Sequence, residues 1–224
     1  MVLLMTRLLV LTLGFEEKFA FRMLTRHGLD RGDRILILTG RAVERTVKAI
    51  ETIKEFVKKY FPGEIDVEFY EVDLSNFIEA VRRIRDVLSR YIPSYDKVII
   101  NLTGGMRVLI LATFTALLLL SVNLGERITH IEVEFEDGTY LVKIPQNLPR
   151  MLLNVRSLTR ERIELLRAIQ ELGEVTVKDL AKVLGKDEST IRRQIYELEK
   201  LELVEVTKTR PTKIKVTELG RLLI

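Results

Sequence analysis

Residues 97–120 read KVIINLTGGMRVLILATFTALLLL: a short apolar run rich in β-branched residues, a loop with two adjacent glycines, and a long apolar segment of helical length. Lys97–Leu102 is apolar on both faces, as expected of a parallel strand covered by helices on each side. Working outward toward the N-terminus, the same succession recurs as Arg7–Leu13 then Glu16–His27, Arg34–Thr39 then Arg41–Tyr60, and Ile65–Val72 then Asn76–Tyr91. The alternation predicts an α/β fold with a doubly wound, Rossmann-like, mostly parallel sheet. Toward the C-terminus, Asn123 and Gly125 give way to the strict alternation THIEVEFEDGTYLVKI. With Asp137-Gly138 in its middle, this predicts an antiparallel terminal hairpin.

Pro145 and Pro149 cannot donate ladder hydrogen bonds, so the sheet should stop there, with a boundary near residue 155. From Arg160 onward the chain reads as RERIELLRAIQEL, TVKDLAKVLG and DESTIRRQIYELEKL, followed by two strand-like runs in LVEVTKTRPTKIKVTEL. Thr176 with Asp179 fits a capping box, Gly185 a helix stop and Asp187 an N-cap. Three helices and a hairpin in that order predict a small winged helix-turn-helix domain. The expected division is residues 1–144 for the Rossmann-like domain, 145–159 for a connector and 160–224 for the winged helix.

Composition narrows the chemistry. The 224 residues include no Cys and only His27 and His130, which removes disulfides, thiolate zinc, cysteine nucleophiles and multi-histidine metal cages. No metal and no cofactor is expected. Lys and Arg number 36 against 32 Asp and Glu, and the small basic excess lies mainly in residues 156–224, with 15 basic and 12 acidic groups. Such an excess does not by itself identify a nucleic-acid binder. The N-terminus does not read as a signal peptide, and Val108–Leu120 is well short of the roughly 20 residues that cross a bilayer, so a cytoplasmic location is expected. That helix should be core, with part of it available as a dimer interface because it is apolar on more than one side.

The loop Asn101-Leu102-Thr103-Gly104-Gly105-Met106-Arg107 lies where open α/β sheets bind ligands, at the C-terminal end of a parallel strand and the start of a helix. Free amides, the Thr103 hydroxyl and the Arg107 charge would suit an anion. The first strand ends at Gly14-Phe15, and these two loops should share a crevice. On local grounds the glycines could equally make a tight connection. Arg41 could extend the rim or be a surface residue, and Asn101 could touch ligand or only orient the loop. Neither a P-loop nor a dinucleotide fingerprint is present.

In the C-terminal module, Ile191, Ile195, Leu198 and Leu201 form the apolar face of the third helix. Ser189, Thr190, Arg192, Arg193 and Tyr196 then face outward, where a recognition helix meets DNA, and Lys208 and Arg210 lie at the wing tip. The alternative is a solvated helix with the i,i+4 pairs Glu188–Arg192 and Arg193–Glu197. Winged helices also mediate protein contacts.

The strings NLTGGMRVL at 101–109, LTLGFEEKFAFRML at 11–24 and LTGRAVERTVKAI at 38–50, followed by a winged helix, resemble the CRISPR-associated Rossmann-fold (CARF) proteins of archaea. Within them, the chain is similar to the CARF–winged-helix transcription regulators of the Csa type. The resemblance implies a homodimer that binds one cyclic oligoadenylate, expected to be cyclic tetra-adenylate, across its two-fold axis in an antiviral defence system. It also implies winged helices on the double-stranded DNA of a CRISPR-cas promoter or leader. Gly14 and Phe15 match the family's first ligand loop, and Thr103, Gly104, Gly105, Met106 and Arg107 its second. A ring nuclease acting without a metal is the alternative, with Arg107 stabilising charge and Thr103 orienting the attacking hydroxyl. An adaptor for a protein complex is a third reading. His27 is expected to be exposed at a helix end, and His130, Glu132 and Glu134 to form a solvated edge-strand face.

Overall fold

The computed structural model describes residues 5–61, 63, 65–154, 158–207 and 209–224. Runs such as Leu8–Leu13 and Ile35–Leu38 are buried on both faces because helices cover both sides of the sheet they enter. The elements are β1 (Arg7–Leu13), α1 (Lys18–His27), β2 (Arg34–Thr39), α2 (Glu44–Tyr60), β3 (Asp66–Glu71), α3 (Phe77–Tyr91), β4 (Lys97–Asn101), α4 (Arg107–Leu124), β5 (Ile128–Glu134) and β6 (Leu141–Ile144). They form one sheet in the order β3-β2-β1-β4-β5-β6. Every pairing is parallel except β5 with β6. The sheet is therefore doubly wound with an antiparallel terminal hairpin, as the alternation predicted.

Alternate residues of the strands feed two cores. Leu8, Val10, Leu36, Leu38, Val98 and Ile100 pack with α3 and α4, and Leu9, Leu11, Ile35, Ile37 and Ile99 pack with α1 and α2. Helix α4 buries Leu109, Ala112, Ala116 and Leu117, yet leaves Val108, Leu111 and Leu119 exposed. The hairpin loop is longer than Asp137-Gly138 alone: Phe135 N–H donates to the Tyr140 carbonyl, and the Asp137 carboxylate accepts the Thr139 N–H and hydroxyl. Helix α2 begins at Glu44 rather than Arg41, so Arg41 sits in the loop that leaves β2.

The chain divides into two compact units, Met1–Pro149 and Arg150–Ile224. The stretch read as a connector contains a helix, α5 (Leu148–Asn154). The second unit holds α6 (Arg160–Leu172), α7 (Val177–Leu184), α8 (Glu188–Lys200), β7 (Val204–Thr207), β8 (Lys213–Val216) and a short α9 (Glu218–Arg221) that the pattern did not reveal. Strands β7 and β8 pair antiparallel, and Val175 bridges to Ile214 beside them. The caps are formed as read: Thr176 and Asp179 make a reciprocal capping box, Gly185 takes a left-handed conformation, and Asp187 accepts the Thr190 N–H at 2.8 Å. Leu165, Ile169, Leu180, Ile191, Ile195 and Leu198 are buried, giving the helical core of a winged helix-turn-helix.

The two faces of α3 make the packing testable. Ile84 is fully buried and Ile78 is 75% exposed. Ile84→Ala should lower the unfolding free energy of the first unit by about 2–5 kcal/mol, and Ile78→Ala by less than about 0.5 kcal/mol. Urea titrations compare the two; equal losses would mean that the helix face is assigned wrongly.

Candidate ligand-binding site

Adjacent strands β1 and β4 are parallel, with Leu11 opposite Asn101, so both strand-end loops leave the sheet on the same edge. Strand order reverses between them, because β1 is followed by β2 on one side and β4 by β5 on the other. This is the topological switch point of an open α/β sheet. A cavity of about 500 Å³ opens there, within the size range of small-molecule sites.

Six of the residues read as ligand-binding line it: Gly14, Phe15, Thr103, Gly104, Gly105 and Met106. The glycines are demanded first by the fold. A Cβ on Gly104 would stand 2.6 Å from the Thr12 carbonyl oxygen, and one on Gly14 3.2 Å from the Gly105 Cα. Gly105 has φ +95°, which side chains rarely adopt. The two loops thus pack backbone against backbone where they line the cavity.

Arg107 opens α4 as an exposed residue and does not line the cavity. Three other cations do: Lys18, Arg41 and Arg45. The Arg45 guanidinium lies 4.9 Å from the centroid of the Phe15 ring, which is 51% exposed. Lys18 pairs with Glu16 and holds its carboxyl below the ordinary range. Sequence reasoning had singled out neither Lys18 nor Arg45. Their signal was weak: each follows a strand end by a few residues, as any first-turn surface residue would.

Asn101 is buried and outside the cavity lining. Its Oδ1 accepts the Thr103 N–H at 3.0 Å and its Nδ2 donates to Glu132 at 3.1 Å, so it orients the loop. The Thr103 hydroxyl accepts the Glu134 N–H at 2.8 Å.

Two expectations are corrected here. Strand β5 is not an edge, because β6 lies outside it, and α1 supplies partners for its polar face. Glu132 and Glu134 are buried rather than solvated. Arg26 donates to Glu132 at 3.0 Å and to Glu134 at 2.7 Å, Arg22 donates to Glu134 at 3.1 Å, and His27 Nε2 lies 3.1 Å from Glu132. His27 is therefore a network member, not an exposed helix end. Burial opposes ionisation of Glu132, but its hydrogen bonds with His27 and Asn101 and the charge of Arg26 hold its carboxyl below the usual value. Burial, with Lys143 and His27 nearby, pushes the His130 imidazole down. Among the described residues, no group of three or more His, Asp or Glu is arranged to hold a metal ion, and no helix is long and apolar enough to cross a membrane.

In the second unit, α8 presents Arg192, Arg193 and Tyr196 to solvent. Arg192 pairs with Glu188 at 3.1 Å, whereas Arg193 has no ion-pair partner among the described residues, Glu197 instead lying 3.7 Å from Lys200. The Ser189 and Thr190 hydroxyls both donate to the Asp187 carboxylate, which these bonds hold well below the ordinary range. Their structural task is capping. Arg210 is exposed near the wing tip, and Lys208 lies outside the described residues.

Comparison with known proteins follows the two units. The family of the Csa3 CRISPR-associated Rossmann-like domain matches residues 7–145, and a second family, described as HVO_A0114, matches 157–217. The CRISPR locus-related protein Csa3 of Saccharolobus solfataricus, described there as a proposed DNA-binding protein, is 28% identical over 213 residues, covering 93% of this chain and 84% of the relative. Among solved structures, the oxidised form of MarR from E. coli is 23% identical with TM-score 0.29, covering 35% of this chain and 57% of that one. Protein VC1899 from Vibrio cholerae is 13% identical with TM-score 0.41, over 97% of this chain and 64% of that one.

The lowered pKa values of His130 and Glu132 fix the sign of a pH dependence. Each group binds a proton less readily folded than unfolded, so its stabilisation is present above the ordinary value and lost as pH falls. The ordinary values are 6.5 for His130 and 4.5 for Glu132, so the first unit should lose stability in two stages below pH 6.5. In His130→Asn the upper stage should be absent. Thermal midpoints between pH 7.5 and 4 check this; a wild-type midpoint that rises on acidification would show the sign to be wrong.

Proposed function

Since the chain belongs to the family of the Csa3 CRISPR-associated Rossmann-like domain, we propose that it is a CRISPR-associated transcription regulator that binds a cyclic oligoadenylate through its first unit and DNA through its second. The observation that carries this reading is the 500 Å³ cavity at the sheet's switch point, joined in one chain to a winged helix. The ring is cyclic tetra-adenylate, shared by two copies so that each offers the same donors to half of it. In each copy the loops at Gly14-Phe15 and Thr103–Met106 approach the ring, Asn101 holds the second loop, and Arg107 stands at its rim. Arg41 and Arg45 meet the phosphodiesters, a role that guanidinium donors suit.

A homodimer is supported by α4, whose Leu111 is 59% exposed beside exposed Val108 and Leu119. The chemistry is sensing. Arg107 lies outside the cavity lining and the Thr103 hydroxyl already accepts a backbone N–H, so neither observation favours the pair for ring cleavage. No cofactor enters this reading.

In the second unit, α8 enters the major groove of a CRISPR-cas promoter or leader. Arg193 is its uncommitted cation, Arg192 and Tyr196 flank it, and Ser189 and Thr190 fix the helix start that faces phosphate. The wing, with Lys208 and Arg210, reaches the backbone or minor groove. Ligand regulates DNA binding by preferring one dimer geometry, since only differential affinity shifts such an equilibrium.

Mass spectrometry of nucleotide retained after incubation with cyclic tetra-adenylate should find the intact ring at one per two chains. Arg45→Ala should weaken retention about tenfold, the effect of one charge-assisted hydrogen bond. Linear fragments in place of the ring would instead establish cleavage.

DNA binding is read from salt dependence. Wild type should bind promoter duplex with a steep slope of log affinity against log salt, and Arg193→Ala should flatten that slope by about 1 if the contact is to phosphate. No binding to any duplex at low salt would move the second unit to an adaptor role.

A further inference from the structure

The charge network around Glu132 leads to the cavity from behind. Glu132 has 0% side-chain exposure, so it meets no ligand itself. One of its oxygens accepts from Asn101 Nδ2, and Asn101 Oδ1 in turn accepts the Thr103 N–H. The neighbouring Glu134 fixes the same residue a second time, through its backbone N–H to the Thr103 hydroxyl at 2.8 Å. On the other side, both carboxylates are held by α1: Arg26 bridges the two, Arg22 adds a contact to Glu134, and His27 one to Glu132. Helix α1 starts three residues after Phe15 and runs as one rigid rod of about 15 Å to His27. The far end of the helix that follows the first loop is thereby bolted to the residues that hold the second.

We propose that Glu132 is the positioning residue of the ligand site: through Asn101 it sets the Thr103–Gly105 loop, and through Arg26 and His27 it ties that loop to α1 and so to Gly14-Phe15. Where ligand is concerned, this rests on the reading of the cavity as a cyclic-nucleotide site; the positioning itself does not. The physical reason for a buried carboxylate here is directional. Replacing a whole buried ion-pair network by apolar groups is often neutral or stabilising, so stability alone does not account for a carboxylate at 132. Only an acceptor at that point, however, turns the Asn101 amide so that its oxygen faces the loop N–H and its NH₂ faces the strand. With no partner for the NH₂, the amide has no reason to keep that orientation, and the Thr103 N–H loses its acceptor.

The test uses the full chain with two readouts, hydrogen exchange at the Thr103 amide without ligand and retention of cyclic tetra-adenylate. Glu132→Leu, which leaves no acceptor at 132, and Asn101→Asp, which sets two carboxylates face to face, should each speed exchange at Thr103 about tenfold or more, and weaken retention by a similar factor, as expected for loss of one buried hydrogen bond to a charged group. The double variant Asn101→Asp/Glu132→Gln reverses donor and acceptor. The carboxylate introduced on β4 would accept both from the amide introduced on β5 and from the Thr103 N–H, so exchange should return to within about threefold of wild type. A purely structural role for Glu132 predicts no such rescue. Arg26→Ala, a change at a partly exposed side chain that keeps the Asn101–Glu132 pair, should also speed exchange at Thr103 although Arg26 touches no loop atom. It carries the test if Asn101→Asp does not fold. Unchanged exchange in the single variants, or a folded double variant without rescue, would overturn the proposal. Altered exchange with rescue, in a wild type that retains no cyclic tetra-adenylate, would uphold the positioning and overturn the ligand reading alone.

Discussion

The parallel pairing of β1 with β4 is the constraint on which the first unit depends. It joins segments some 90 residues apart, Arg7 opposite Lys97 through Leu11 opposite Asn101. Both ends of the pair are clamped. At the base, the Thr6 N–H donates to the Asp96 carboxylate and the Asp96 N–H to the Thr6 carbonyl. At the top, Gly104 lies against the Thr12 carbonyl, too close for any side chain. Once these strands are neighbours, right-handed crossovers carry α1 and α2 to one face and α3 and α4 to the other. The loops beyond the strand ends then diverge, and the cavity is the space they leave.

The second organising element is electrostatic. Desolvating Glu132 and Glu134 is costly, and three cationic or titratable side chains from one helix offset the cost. Helix α1 has its apolar residues Ala20, Met23 and Leu24 buried against the sheet, while Arg22, Arg26 and His27 reach β5. One helix thus meets the sheet by two kinds of physics, apolar packing on one side and charged hydrogen bonds on the other. The polar side gives direction to Asn101, and the loop at 103–105 inherits that direction.

Much of the fold was legible because period and punctuation agreed. Leu8–Leu13, Ile35–Leu38 and Val98–Ile100 announced covered strands, and Thr176, Gly185 and Asp187 marked helix ends that formed as read. The glycine loops were legible as a place. Their lining was less so. Arg107 was the obvious cation because it ends the Thr-Gly-Gly string, but helix geometry at the first position of α4 turns it out of the lining. Lys18 and Arg45 stand in the first turns of α1 and α2, remote in sequence from the Thr-Gly-Gly string, and nothing in their own neighbourhoods marks them. The alternation of His130, Glu132 and Glu134 was read as a wet face since charged residues normally are; it is dry because a helix about 100 residues away carries the matching charges.

By itself the sequence determined the elements other than α5 and α9, the parallel sense of the strands, the order of a Rossmann-like sheet and a winged helix, and the strand ends that meet at the switch point. These follow from local rules: periodicity, capping chemistry, and the conformations that glycine and proline allow or forbid. Tertiary structure alone decided which cations face the cavity, which carboxylates are buried and what Asn101 does. Those properties belong to distances between residues far apart in the chain, and burial and hydrogen bonding depend on such distances, whereas periodicity does not.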